Sequence, residues 1–244
     1  MVLSLVHASA WPNAFDFGVE RYLNHFAHRS ATFDSAMESL VSSMLFRGGG
    51  MMLLFWYALF DKNQPNRLRK NAELLVGSIP GVTLSLPFVR IFAHLMPFRL
   101  RPLATPELHF IPPLQGAQTL FNWSSFPSDH AVMFFLLATS IFFVSRRAGV
   151  LAYVWAVFLI SFPRLYVGFH WPSDFIAGAL LGVGFGWATR IPPYRRLTVR
   201  VTTWSHSRYP GIFFAALFLY TFEIGTMFHE LFPLLAAMVK NLGR

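Results

Sequence analysis

Three short polar stretches of the chain combine the residue types that bind phosphate. They lie at positions 94–102, 126–130 and 163–174. Arg101 in the first stretch and Arg164 in the third carry planar, permanently charged guanidinium groups, whose paired donors match the oxygens of a phosphate. These side chains indicate an anion-binding site.

The second and third stretches add groups suited to phosphoryl transfer. Ser128 and the backbone amides at a helix start can donate hydrogen bonds to an anion, and His130 and His170 can divide the roles of nucleophile and proton donor. Asp174 follows His170 by four residues. If a helix begins near position 171, this carboxylate can reach back to the imidazole and orient it.

Metal ligands are not evident in the sequence. No set of carboxylates has the spacing of a metal site, and nearby arginines would compete with a cation bound by histidines. The chain has no cysteine, which excludes thiolate ligands and disulfides. We therefore expect neither a metal nor a cofactor.

Composition places the three stretches in a membrane protein. Of the 244 residues, 55% are hydrophobic and 13% are charged, and the mean hydropathy is +0.47, which is too apolar for an ordinary soluble domain. The formal charge of +9 is typical of some nucleic-acid-binding proteins, but the basic residues lie mainly in short loops between apolar runs, where they orient membrane proteins. We expect an all-α, polytopic membrane bundle that does not bind nucleic acid.

Six apolar runs meet or approach the roughly 20 residues that a membrane span needs. They cover residues 44–61, 71–96, 127–145, 148–166, 173–190 and 210 to about 230. Arg47 interrupts the first run and is expected to reach a membrane interface. Trp123 and Trp171 are expected in the aromatic belt at an interface, or at an entrance for lipid. The predicted regions are an N-terminal part at 1–43, a membrane bundle at 44–230 with a catalytic core at 71–190, and a tail at 231–244.

The region before the first span has two helical patterns. Residues 15–28 and 33–46 place apolar side chains at helical spacing, with polar opposite faces, and Ser35 and Glu38 fit a capping box. Such helices would lie on the membrane surface or pack against the edge of the bundle. The first ten residues lack the basic start of a signal peptide, so we expect the N-terminus to be retained.

Loop charges predict the orientation of the bundle. The loops at 61–70, 145–148 and 190–209 contain eleven lysines and arginines, whereas those at 97–126 and 163–172 contain three. By the positive-inside rule the first set faces the cytoplasm, so all three polar stretches face outward. We expect a bacterial cytoplasmic-membrane protein with its active site on the extracytoplasmic side.

The order and spacing of the three stretches resemble the signature of the type 2 phosphatidic acid phosphatase superfamily of membrane lipid phosphatases. That signature runs K-x-x-x-x-x-x-R-P, then P-S-G-H, then S-R-x-x-x-x-x-H-x-x-x-D. The matching positions here are His94, Arg101 and Pro102; Pro127, Ser128, Asp129 and His130; and Pro163, Arg164, His170 and Asp174. With Ser125 and Phe126, the second stretch also resembles the S-F-P-S-D-H form of the undecaprenyl-diphosphatase branch.

The resemblance implies a role for each matching residue. His170 would attack phosphorus and form a phosphohistidine, Asp174 would orient His170, and His130 would protonate the leaving oxygen. Water would then hydrolyse the intermediate. The residues expected to bind the phosphate are Arg101, Arg164, Ser128, His94, Arg99 and Asp129.

Three positions depart from the family pattern. His94 stands where the family has lysine, and Arg99 or Arg90 is an alternative source of that positive charge, although Arg90 is otherwise expected at a membrane interface. Asp129 replaces a glycine and is expected to order arginines or to discriminate between substrates. Pro163 replaces a serine, which removes one phosphate donor.

The predicted function is hydrolysis of a lipid phosphate or diphosphate that enters the site from the bilayer, with undecaprenyl diphosphate as the first candidate. A phosphatidate or phosphatidylglycerol-phosphate phosphatase is the nearest alternative. Two other possibilities stay open at this point: a phosphotransferase, in which an alcohol captures the phosphohistidine, and a non-catalytic binder of lipid phosphates.

Overall fold

A computed structural model describes residues 12–60, 67–113 and 123–228 of the chain. These residues form helices and irregular segments and contain no strand, so the predicted all-α fold is confirmed. Residues 1–11 and the predicted tail at 231–244 lie outside the described ranges, and the proposed division into regions stays a prediction.

The helices follow the predicted apolar runs closely. They are α1 (Ala14–Asn24), α2 (Ala31–Ser42), α3 (Gly50–Phe60), α4 (Arg67–Leu95), α5 (Asp129–Val144), α6 (Arg146–Trp155), α7 (Phe162–Tyr166), α8 (Pro172–Ala188), α9 (Pro192–Arg208) and α10 (Pro210–Gly225). Two π-helical segments, Leu45–Gly49 and Ala156–Ser161, lead into α3 and α7, and two 3-10 turns, Pro102–Ala104 and Pro106–Leu108, follow α4.

Fewer helices are long enough to span a membrane than the six apolar runs predicted. Among the described residues, Glu73–Leu95 and Arg146–Tyr166 are long and apolar enough to cross a membrane. Two bent helix pairs, α2 with the helix over Leu45–Phe60 and α8 with α9, raise the number to four if each is one span. The helices α5 and α10 are apolar but shorter. A membrane-type bundle is confirmed, and the count of six stays a prediction.

The segment at 190–209 is helical, although the sequence suggested a basic loop. Prolines at the start of α9 are compatible with a helix because their missing N–H groups would have no intrahelical partner there. α9 bends by 70° from α8 and packs on α4, where the hydroxyl of Tyr194 donates to the carbonyl of Gly77 at 2.8 Å. The sequence suggested a loop because the segment is rich in charged residues and has no apolar stripe. The segment is nevertheless a helix, and its packing on α4 stabilises it.

Close packing of α5 on α8 brings the second and third polar stretches together. A Cβ atom on Gly178 would lie 2.6 Å from the carbonyl oxygen of Ser128, and one on Gly182 would lie 2.4 Å from that of Val132. Only glycine permits this approach, as at other interfaces between membrane helices with small residues four apart. The backbone N–H of Ser128 donates to the carbonyl of Asp174 at 3.1 Å, which joins the starts of the two helices.

The first helix turns its acidic side chains inward. Asp16 and Glu20 on α1 are fully buried against the bundle, whereas Phe15 and Tyr22 are exposed. α1 therefore packs on the edge of the bundle, one of the two arrangements expected, with its apolar face outward. The predicted capping box at Ser35 and Glu38 was wrong, because the N-cap of α2 is Ser30, five residues before Ser35.

Candidate active site

Five of the nine predicted site residues line one cavity of about 360 Å³: Arg101, Asp129, His130, Arg164 and His170. It opens where the starts of α5 and α8, the end of α7 and the irregular segment after α4 meet. Its lining combines arginines, two histidines, one carboxylate and apolar side chains: Val41, Arg47, Arg90, Arg101, Trp123, Asp129, His130, Arg164, Phe169 and His170. Stretches separated by more than sixty residues in sequence thus contribute to a single strongly cationic pocket.

The imidazole of His170 is held in one tautomer by a backbone carbonyl. Its Nδ1 lies 2.9 Å from the carbonyl oxygen of Ser125, and because a carbonyl only accepts, Nδ1 carries the proton. In the neutral ring Nε2 then has a free lone pair, as a nucleophile requires. The side chain is buried, at 7% exposure, so its orientation is fixed by the protein.

Asp174 lies beside His170 without a direct hydrogen bond to it. The distance from Oδ2 of Asp174 to Nδ1 of His170 is 3.7 Å, and Oδ2 accepts from the backbone N–H of Trp171 at 2.8 Å. The carboxylate thus caps α8 and provides negative charge near the ring. It can stabilise a positively charged imidazole electrostatically, while Ser125 makes the hydrogen bond that the sequence assigned to Asp174.

Arg99 was expected to bind phosphate, and the structure gives it a different role. Its guanidinium group donates to both Asp174 and Asp16, and the three side chains are completely buried. The same group donates to the hydroxyl of Ser173 at 2.9 Å. Arg99 does not line the cavity. Its guanidinium group holds Asp174, the carboxylate next to His170, in place. The pairing also makes burial of these charges possible, because unpaired buried charges are strongly unfavourable.

The second histidine has its own carboxylate. Nδ1 of His130 lies 2.9 Å from Oδ1 of Asp129, and the other carboxylate oxygen accepts from Arg90 at 2.7 Å. Nε2 of His130 is buried without a hydrogen-bond partner among the described residues. Asp129 therefore orders Arg90 and His130, and as an anion it is not a direct ligand for phosphate. The hydrogen bond to Asp129 fixes the ring of His130 and leaves Nε2 as the atom that can exchange a proton with a substrate.

The two expected phosphate-binding arginines are anchored through backbone carbonyls. Arg101 donates to the carbonyl of Phe169 at 2.6 Å, and Arg164 donates to that of Ile160 at 2.6 Å. Both side chains are buried, and their remaining donors face a cavity. Burial lowers the pKa of Arg101, and the charges of Asp129 and Asp174 oppose this effect. An anion in the cavity would stabilise both guanidinium groups.

Two further expectations need correction, and the phosphate-binding role of Ser128 stays a prediction. His94 is exposed on the last turn of α4 and does not line the cavity, whereas Arg90, one turn earlier, does. Ser128 is buried, and its hydroxyl oxygen accepts a 3.4 Å hydrogen bond from the backbone N–H of Ala131, which leaves the hydroxyl proton able to donate to a phosphate. Trp171 is completely buried, and its Nε1–H donates to a backbone carbonyl, which excludes it from an interfacial belt.

One triad in the cavity has the spacing of metal ligands. A ligand atom from each of Asp129, His130 and His170 lies within 4.8 Å of the others. The neighbouring guanidinium groups oppose a divalent cation electrostatically and favour an anion at the same position. The expectation of metal independence therefore stays a prediction. Because nitrogen atoms of the two imidazoles lie within this 4.8 Å of each other, both rings can reach one phosphoryl group between them.

Two charged residues of the site were missed by sequence reasoning. Arg47 was expected at a membrane interface and instead lines the cavity. Asp16 was treated as part of a polar helix face and instead binds Arg99. For Arg47 the signal was a charged residue directly before three glycines, which is unusual inside an apolar run. For Asp16 the sequence carried no signal beyond an acid in the first turn of a helix.

Comparison with known proteins agrees with the resemblance of the three stretches. A family model described as PAP2 superfamily matches residues 81–197. The bacitracin transport permease protein BcrC of Bacillus licheniformis is 45% identical over 62 residues, which cover 25% of this chain and 29% of that protein. The undecaprenyl-diphosphatase BcrC of Bacillus subtilis is 21% identical over 191 residues, 76% of this chain and 91% of that protein.

A third relative has a different named activity. The lipid A 1-diphosphate synthase of Escherichia coli strain K12 is 27% identical over 173 residues, which cover 67% of this chain and 66% of that protein. The chain thus spans less than a third of the Bacillus licheniformis relative and just under two thirds of the synthase. No solved structure matches the chain significantly.

Proposed function

Because the chain belongs to the PAP2 superfamily, we propose that it is an integral membrane phosphatase that hydrolyses a lipid diphosphate, with undecaprenyl diphosphate as its substrate and undecaprenyl phosphate as its product. The observation that carries the proposal is the convergence of His130, His170, Arg101 and Arg164 on one cavity. Nucleophile, proton donor and anion-binding groups are thereby within reach of a single phosphoryl group.

The first half of the reaction uses both histidines. Nε2 of His170 attacks the terminal phosphorus, and the bond between that phosphorus and the bridging oxygen breaks. His130 gives its proton to the bridging oxygen, so the lipid monophosphate leaves. Phosphorylation makes the ring of His170 cationic, and this charge is stabilised by the nearby carboxylate of Asp174 at 3.7 Å.

The second half regenerates the enzyme. Water attacks the phosphohistidine, its proton goes to His130, and inorganic phosphate leaves as the N–P bond breaks. Arg101 and Arg164 stabilise the charge on the phosphoryl oxygens in both halves, since both cations are held in place before the reaction begins. Arg90 supplies the positive charge that the family places at position 94.

The choice of substrate rests on the second motif and the relatives. Residues 125–130 read S-F-P-S-D-H, and a relative aligned over most of the chain is named undecaprenyl-diphosphatase. Phosphatidate and phosphatidylglycerol phosphate remain the nearest alternatives of the same chemistry. We also propose that the cavity faces the extracytoplasmic side of a bacterial cytoplasmic membrane, on the basis of the loop charges.

A second function is supported by one relative. The lipid A 1-diphosphate synthase has a name that describes formation of a diphosphate. In this chain the same phosphohistidine would pass its phosphoryl group to a lipid phosphate in place of water. The acceptor would have to enter the cavity after the first product leaves.

Both functions can be tested with the purified protein in detergent and EDTA. Phosphate release is measured from undecaprenyl diphosphate, phosphatidate and phosphatidylglycerol phosphate, with and without an added lipid phosphate acceptor. We expect release from the diphosphate, none from a His170→Ala variant, and normal release from a control variant of the exposed His25, His25→Gln. Preference for a glycerophospholipid would replace the proposed substrate, and product formed only with the acceptor would favour the transferase.

Trapping the intermediate tests the chemistry itself. A substrate radiolabelled on its terminal phosphate is mixed with the protein and quenched in alkali, in which phosphohistidine survives. We expect labelled protein from the parent chain and none from His170→Ala. Label retained by that variant would assign the nucleophile to another residue.

A further inference from the structure

Arg47 lies in the cavity but outside the three motifs. It belongs to the π-helical segment Leu45–Gly49, and the matched family region begins only at residue 81. Its side chain lines the same cavity as His130, His170 and Arg164. Single π-helical turns occur often at functional sites, where they re-aim one side chain.

The packing around Arg47 fixes where its side chain starts. A Cβ atom on Gly48 would lie 1.8 Å from a carbonyl oxygen of α10, and one on Gly50 would lie 2.0 Å from the ring of Trp155. Nε1 of Trp155 donates to the carbonyl of Phe46 at 2.8 Å. The glycines after Arg47 therefore allow the segment to press against two other helices, which holds the arginine at the wall of the cavity.

The guanidinium group of Arg47 has an unsatisfied donor. Its Nε is buried without a hydrogen-bond partner among the described residues, as is the Nε of Arg101. Burying a donor without a partner is unfavourable, because the donor loses its hydrogen bond to water. The charge of Arg47 is also close enough to that of Arg164 for the two to repel each other. An anion between them would remove both penalties.

The cavity holds more positive charge than one phosphoryl group requires. Arg47, Arg90, Arg101 and Arg164 line it, and Asp129 is the one carboxylate among the described lining residues. Two arginine forks already offer enough donors for the three outer oxygens of a transferred phosphoryl group. A diphosphate adds a second phosphate with further oxygens and further negative charge. A volume of about 360 Å³ lies in the range of small-ligand pockets.

We propose that Arg47 binds a phosphate group of the substrate and adapts the cavity to lipid diphosphates in preference to lipid monophosphates. The proposal rests on the function inferred above and specifies the substrate class of that same site. Arg47 contributes through its charge and its paired donors, so lysine is only a partial replacement.

The test compares two substrates in one preparation. A polyprenyl diphosphate and the monophosphate of the same chain length are assayed with the parent protein, Arg47→Gln, Arg47→Lys and the control Arg147→Gln, whose side chain is exposed. We expect Arg47→Gln to lower kcat/KM for the diphosphate by about 10–100-fold, the value of a hydrogen bond to a charged group, and for the monophosphate by less than about threefold. Arg47→Lys should fall between, and the control should match the parent.

Binding of non-hydrolysable analogues separates this inference from the proposed function. The Kd of a polyprenyl methylenediphosphonate should rise by a similar factor in Arg47→Gln, whereas that of the matching monophosphonate should not. Equal losses on both head groups, or no loss, would overturn the role of Arg47. A parent protein that binds the diphosphonate but releases no phosphate would overturn the proposed hydrolysis and leave the Arg47 result to be decided by the two Kd values.

Discussion

At the scale of single residues, each histidine of the site is oriented by a different kind of acceptor. His170 donates from Nδ1 to the carbonyl of Ser125, whereas His130 donates to the carboxylate of Asp129. The carbonyl keeps the proton of the neutral His170 ring on Nδ1 and leaves Nε2 as the atom that can attack phosphorus. The carboxylate orients the ring of His130 through Nδ1 and leaves Nε2 as the atom that can exchange a proton with a leaving group. These contacts support the proposed division of roles between nucleophile and acid.

This division predicts that His130 matters most when the leaving group needs a proton. His130→Gln should lower kcat for a lipid diphosphate by about 10²–10⁴-fold, the usual contribution of general acid catalysis. The loss should be much smaller for a nitrophenyl phosphate ester, because nitrophenolate leaves without protonation. Steady-state rates with both substrates measure the difference. Equal losses would assign His130 to phosphate binding in place of proton transfer.

At the scale of helices, two contacts position the site. The glycine face of α8 lets α5 approach closely enough to bring His130 and His170 to one cavity. On the other side, α1 inserts Asp16 into the buried group around Arg99. Ser173 at the start of α8 also donates to Asp16, through its backbone N–H at 2.9 Å and its hydroxyl at 2.8 Å. The N-terminal helix is therefore part of the support for Asp174.

The contact between α5 and α8 can be tested with two glycines of one helix. A Cβ atom at Gly182 would meet the backbone of α5 at 2.4 Å, whereas one at Gly184 would meet nothing within 4 Å. Gly182→Ala should therefore destabilise the protein by about 1–3 kcal/mol, the usual cost of overpacking, and should reduce phosphate release. Gly184→Ala should leave both unchanged. Thermal unfolding in detergent and activity are the measurements, and equal behaviour of the two variants would contradict this packing.

Glu20 on α1 should make the stability of the protein depend on pH. Burial, followed by the charges of Asp174 and Asp16, raises the pKa of Glu20 well above its usual value. The folded state then holds a proton that the unfolded state releases, so stability is complete below the unfolded pKa of about 4.3 and decreases as the pH rises toward the folded pKa.

Replacing this carboxyl group should remove that dependence. Glu20→Gln should have a flatter profile of Tm against pH than the parent and a higher Tm at neutral pH, because the amide needs no proton. The exposed Glu38 provides a matched control, since Glu38→Gln should follow the parent curve. Parallel curves for the Glu20 variant and the parent would show that Glu20 is not protonated in the folded protein.

At the scale of the whole molecule, the proposed orientation of the bundle rests on the loop charges alone. Glu107 lies in the irregular segment on the side of the cavity, and Arg147 lies at the start of α6. Both side chains are exposed. The positive-inside rule places Arg147 in the cytoplasm and Glu107 outside.

The absence of cysteine from the sequence makes this orientation simple to test. In intact cells, a membrane-impermeant maleimide should label Glu107→Cys, whereas Arg147→Cys should be labelled only after the membrane is opened. The parent chain should remain unlabelled in both conditions because it has no thiol. The reverse pattern would place the cavity in the cytoplasm.

The sequence by itself determined the class of fold and most of the residues that meet in the cavity. Apolar runs of helical length mark most of the bundle. The spacing of arginines and histidines predicted a phosphate site, because phosphoryl transfer requires particular residue types at short separations in the sequence. The sequence also left Arg90 open as the substitute for the cation missing at His94, and Arg90 lines the cavity.

Only the tertiary structure decided the partners of those residues. Arg99 and Arg101 are two positions apart and carry the same group, yet one is neutralised by carboxylates from α1 and α8 while the other faces the cavity. Arg47 enters the site because glycines let its segment approach two distant helices. Whether a charged side chain is paired with another residue or free to bind a ligand depends on residues far away in the chain. Short-range sequence patterns do not show which of those residues it will contact.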